Sequence, residues 1–104
     1  MKFLYVRNSG AQLAIPASSV VGIYATAQRN ISIYFNSLGT KNRNSGVISL
    51  NGIPVNSEDI YVDVVERLSK EIASDSGNMF VVLADSVSGD FFDKNITSAT
   101  ITLS

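Results

Sequence analysis

The chain has 104 residues, the length of one domain that can bury a modest core without staples. It has no cysteine and no histidine, which removes disulfides, thiolate and imidazole nucleophiles and ordinary zinc or copper sites; carboxylate, lysine or tyrosine chemistry alone is left, and neither an enzyme nor a cofactor is expected. Charged residues are only 16% of the chain and hydrophobic ones 45%, against about 25% charged in an average soluble domain, so small polar groups fill the surface and self-association is favoured.

The net charge of -1 hides an asymmetry. Residues 1–57 hold Lys2, Arg7, Arg29, Lys41 and Arg43 and no acid, while residues 58–104 hold all nine acids against Arg67, Lys70 and Lys94. A basic sheet region and an acidic helix region are therefore expected.

In chain order, six strands and one helix are predicted. The first strand spans about Lys2 to Asn8, and "NSGAQLAIPASS" follows as a mixed connection punctuated by Gly10 and Pro16. The second strand runs from about Val20 to Ala27. "ISIYFNS" is the third, with Ile31, Ile33 and Phe35 on one face and Ser32, Tyr34 and Asn36 on the other. After the loop "LGTKNRNSG" comes "VISLNG", ended by the Asn51-Gly52 turn pair and Pro54. An amphipathic helix near 57–74 follows, with Asn56 as N-cap, Glu58 and Asp59 at its positive end, and an apolar stripe of Ile60, Val64, Leu68 and Ile72 widened by Tyr61 and Val65. Asp63 to Arg67 and Glu66 to Lys70 are i, i+4 pairs in the favourable orientation. The strands "MFVVLADS" and "SATITLS" complete the set. Short strands at close spacing predict a mainly β domain with one α-helix, built as a small, strongly bent antiparallel barrel of five to six strands.

The segment from Gly39 to Gly46, together with Arg29, is the best candidate for a site. Arg29, Lys41 and Arg43, with Asn42 and Asn44 beside them, suit phosphates and base edges, and Tyr24 and Tyr34 on the adjoining strands suit base stacking. A polar loop that only turns the chain accounts for the same residues. "ADSVSGDFFDKN" gathers Asp85, Asp90 and Asp93 but lacks the carboxylate spacing of a calcium loop, so no metal site is expected and the acids read as solvated. Phe91 and Phe92 are adjacent, so one is expected in the core and the other on a patch or interface. The opening "MKFLYVRNSG" breaks at Arg7 before an apolar run of secretory length, and no run approaches the roughly 20 residues of a membrane span. A soluble intracellular protein without membrane contact is the expectation.

From "MKFLYVRN" through "IPASSVVGIYA" and "ISIYF" to "KNITSATITL", the chain resembles a group of small marine-metagenome proteins attributed to cyanophages, which look like Sm and LSm proteins in fold. Asn30 and the Asn51-Gly52 pair stand at places similar to the Sm pattern, while "AQRN" replaces its usual loop. The resemblance implies a single Sm-like domain over 1–104, assembly into a cyclic homo-oligomer by edge-strand pairing, RNA or single-stranded nucleic-acid binding, and a cytoplasmic place in an infected host cell. A phage structural or assembly protein, whose ring has no nucleic-acid role, is the alternative.

Overall fold

In a computed structural model, residues 2–26, 30–36, 45–54, 57–74 and 80–103 are described. Among these are eight strands and one α-helix: β1 (Phe3–Asn8), β2 (Ala11–Pro16), a 3-10 turn (Ala17–Ser19), β3 (Val20–Thr26), β4 (Asn30–Asn36), β5 (Ser45–Asn51), α1 (Glu58–Ala73), β6 (Phe80–Asp85), β7 (Asp90–Phe91) and β8 (Ser98–Leu103). The expectation of a mainly β domain with one helix holds. The strands do not close into a barrel, however: they form two four-stranded sheets, ordered β2-β1-β6-β7 and β3-β4-β5-β8. Nor is pairing wholly antiparallel, because β1 and β6 run parallel.

The segment read as a connection after β1 is the hairpin partner β2. Asn8 explains why: its Oδ1 accepts from the backbone N–H of Gly10 and Ala11, both at 2.9 Å, so the side chain closes a two-residue turn. Leu13 and Ile15 then face Val6 and Leu4 in register. At the 3-10 turn the chain crosses from the first sheet to the second, and Ser19 Oγ donates to the Pro16 carbonyl at 2.7 Å.

The second sheet carries the alternation read from sequence. Its inner rows are Ala25–Ile31–Leu50–Ala99 and Ile23–Ile33–Ile48–Ile101, and Phe35 is buried beside them. Leu4, Val6, Ile15 and Leu83 oppose them from the first sheet, also buried. Fully burying each such side chain contributes about 1.5–3 kcal/mol. Asn8 Nδ2 donates to the Ala99 carbonyl at 3.2 Å, where β8 approaches β1 and β6. The helix lies against β3, at the opposite edge of the same sheet.

Tyr61, Val64 and Leu68 are the buried stripe of α1, with Ile60, Val65 and Ile72 half-buried beside them. The Tyr61 hydroxyl donates to the Ile53 carbonyl at 3.3 Å. Ser57 stands at the N-cap, and its carbonyl accepts from the N–H of Ile60 and Tyr61 at 3.0 and 3.1 Å; the expected cap, Asn56, lies outside the described residues. Both i, i+4 pairs form, Asp63–Arg67 at 2.9 Å and Glu66–Lys70 at 3.0 Å.

The charge asymmetry resolves differently from expectation. Two cations of the acid-free half are neutralised by acids of the other half: Lys2 pairs with Glu71 at 3.0 Å and Arg7 with Asp85 at 2.9 Å. The expected solvated acidic loop is also ordered chemistry. Asp85 is buried, and its Oδ1 accepts from Arg7 Nε, Val87 N and Ser88 N. Asp93 accepts from the Asn95 backbone and amide and from Arg67. Phe91 and Phe92 are both half-buried against the core, so neither is the free aromatic expected of the pair, and Arg67 stacks on the Phe92 ring at 5.3 Å.

Candidate nucleic-acid interface

The strands of the second sheet contain no charged residue. Their outer face follows from the register, because directly paired residues of antiparallel strands share a face. Its rows are Asn30–Asn51–Ser98, then Tyr24–Ser32–Ser49–Thr100, then Gly22–Tyr34–Val47–Thr102, and Asn36 with Ser45 at the end. The face is thus made of hydroxyls, amides, one valine, one glycine and two tyrosines.

Tyr24 is 59% exposed and Tyr34 44% exposed. Tyr24 lies across from Ser32, and Tyr34 is two residues along the same strand, so the two rings are diagonal neighbours about 7–8 Å apart at their bases. Gly22 opposite Tyr34 leaves the ring unobstructed on that side. A register shift between Val20 and Gly22 bulges the edge strand here and turns Val21 outward, 68% exposed. A shallow depression of about 530 Å³ adjoins Tyr34, lined by Val21, Tyr34, Asn36, Val47 and Thr102 among others. At the far end Asn51 Nδ2 donates to Thr100 Oγ1 at 3.2 Å.

Of the residues singled out from sequence, Tyr24, Asn30 and Tyr34 come together on this face. Arg29, Lys41, Asn42, Arg43 and Asn44 lie outside the described residues.

Sequence reasoning missed the extent of this face. The signal lies in the period-two alternation of the neighbouring strands, where Val47 and Ser49, and Ser98, Thr100 and Thr102, alternate with the apolar rows just as Ser32, Tyr34 and Asn36 do. The strand pairing that brings these together is long-range.

The acidic groups are held elsewhere. Arg7 beside Asp85 keeps that carboxyl well below the usual carboxylate range, against the opposing effect of burial and with help from Ser88. Burial pushes Asp93 up, but its bonds from Asn95 and Arg67 outweigh it and the group titrates below its ordinary value. Neither carboxylate belongs to the second sheet. Among the described residues no helix is long and apolar enough to cross a membrane, and no group of acids is arranged to hold a metal ion. No family model matches the chain, and neither a curated protein nor a solved structure matches it.

Proposed function

We propose that the chain is a binding protein, not an enzyme, and that it takes single-stranded RNA or DNA across the outer face of the second sheet. The observation that carries this reading is the exposed pair Tyr24 and Tyr34 on a four-stranded sheet face free of acids. Stacking on aromatic rings accepts any base, and a sheet surface with aromatics on neighbouring strands is a recurrent platform for it. The diagonal spacing of the rings suits successive bases of an extended strand. Asn30, Asn36, Ser49 and Thr100 lie around them. Arg29, Lys41 and Arg43 would meet the backbone phosphates beside the stacked bases.

The same reading includes assembly into an Sm-like ring of phage origin, as the resemblance implies. Support comes from the edge strands β2, β3 and β8, which carry no charge to keep a second chain from pairing with them. A ring would repeat the tyrosine face and its flanking cations around one axis.

A titration of labelled single-stranded RNA and DNA at several salt concentrations tests the proposal. Binding is expected at low salt, falling with a log–log slope of about -0.7 for each phosphate neutralised. Lys41→Glu with Arg43→Glu is expected to abolish it. Affinity absent at low salt, or unchanged in that double variant, overturns the reading. A ring serving only as a phage structural or assembly component is the second reading, favoured by the same uncharged edges; the protein in purified particles without nucleic-acid affinity selects it.

A further inference from the structure

The two tyrosines of the outer face stand in different surroundings. Tyr24 shares its row with Ser32, Ser49 and Thr100, all of them hydroxyl residues. Tyr34 is flanked by an aliphatic side chain on each neighbouring strand. Val47 faces it from β5 by register, and Val21 stands on β3, where the bulge opposite Tyr34 turns it outward. Among the described residues these two valines are the only aliphatic side chains of the outer face. Bulges re-aim side chains in this way beside binding sites. The depression of about 530 Å³ lies at the same place, with Val21, Tyr34, Val47 and Thr102 in its lining and no charged residue among the described residues that line it. Its volume falls within the roughly 300–1,000 Å³ of small-ligand sites.

We propose that this depression is a purine subsite for the strand bound across the face, resting on the nucleic-acid reading given above. The lining selects the occupant. A wall without charge suits the base of a nucleotide and leaves its phosphate in water. The Tyr34 ring stacks on one six-membered ring, which purines and pyrimidines both supply. The valines stand one strand away on either side, at about 4.8 Å, so the second, fused ring of a purine extends past the tyrosine onto a valine whichever way the base leans. A single-ring base covers the tyrosine and stops there. The added contact strengthens binding in proportion to the apolar area it covers.

At Tyr24 the neighbours are hydroxyls, so a base stacks there without regard to its size. Tyr24 is thus the general platform and Tyr34 the selective one. The choice comes from shape and apolar contact, and it leaves the phosphate contacts and the salt dependence of binding untouched.

Fluorescence anisotropy with two labelled RNA strands, a short oligouridine and the same strand carrying one central adenosine, tests the inference at low salt. The adenosine strand is expected to bind about three- to tenfold more tightly. Val21→Ser with Val47→Ser, both on the outer face, is expected to remove that ratio while affinity for oligouridine and the circular dichroism spectrum stay as they were. Tyr34→Ala is expected to remove the ratio as well, whereas Tyr24→Ala should weaken both strands alike and keep it. Equal affinity for the two strands in the unsubstituted protein, a ratio undiminished in the double serine variant, or a ratio lost in Tyr24→Ala overturns the subsite and leaves the strand-binding reading standing. Binding of neither strand overturns that reading and the subsite with it.

Discussion

Lys2 and Glu71, 69 positions apart, tie the start of the first strand to the last turn of the helix: the Lys2 ammonium donates to the Glu71 carbonyl at 2.5 Å and to its Oε1 at 3.0 Å. The ammonium is nearly enclosed while the carboxylate is a third exposed. It also meets the negative end of the helix dipole. The two truncations are therefore unequal. Lys2→Met keeps the stem and leaves a carboxylate that can reach water, and is expected to cost about 1–3 kcal/mol. Glu71→Ala removes the carboxylate that the enclosed ammonium faces and is expected to cost more, toward the roughly 3–5 kcal/mol of a broken buried pair. Urea denaturation of both variants checks the order; equal costs would mean that the pair is not enclosed in solution.

Acid sensitivity should centre on Asp85 and Asp93. Both are held below their ordinary values, Asp85 by Arg7 first and Asp93 by Asn95 and Arg67 against the effect of burial. On unfolding each would take up a proton near the ordinary value of about 3.9. Their contribution is thus complete above that pH and is lost as the pH falls from there through the lowered native values. The urea midpoint is expected to be level near neutrality and to drop steeply below about pH 4. Asp85→Asn should be less stable at pH 7 and should show a shallower acid limb. A variant as acid-sensitive as the parent would remove Asp85 from this account.

Three glycines separate backbone strain from crowding. Gly52 has φ 114°, and a Cβ there would lie 2.8 Å from Thr97 N and 2.9 Å from the Asn95 carbonyl oxygen, backbone atoms that cannot swing away. Gly89 has φ 80° with open space around it, and Gly22 has open space without a positive φ. Alanine is expected to cost about 1–2 kcal/mol at Gly89, distinctly more at Gly52, and close to nothing at Gly22. Thermal midpoints of the three variants give the ranking directly.

The parts of the fold legible in the sequence were those written in local periodicity. β3, β4, β5 and β8 show apolar alternation along their own length, and α1 shows its stripe within four turns. β2 was hidden because Gly10 and Pro16 bracket it like loop residues, although Leu13 and Ile15 already alternated; only the Asn8 side chain, by closing the turn, makes the segment a hairpin arm. β7 has two residues and depends on pairing with Ala84 and Asp85, which no local pattern encodes. The site was less legible for a related reason. Lys2 and Arg7 belong to an acid-free half by sequence, and their counter-charges Glu71 and Asp85 lie 69 and 78 positions away, beyond any local pattern.

The tyrosine pair can be tested without reference to the cations. If Tyr24 and Tyr34 each stack a base, Tyr24→Ala and Tyr34→Ala should each cost about 1–3 kcal/mol of binding, or roughly 5- to 150-fold in affinity. Because stacking uses the ring and not the hydroxyl, Tyr→Phe at either position should retain most of the affinity. The salt dependence should be left with the same slope in all four variants, since no phosphate contact is lost. Both side chains are exposed on the outer face, so none of the substitutions should alter the thermal midpoint by more than a small amount. Filter binding of a labelled homopolymer, with unchanged affinity in the double alanine variant as the contrary result, decides whether the face is a stacking platform or only the polar side of a sheet.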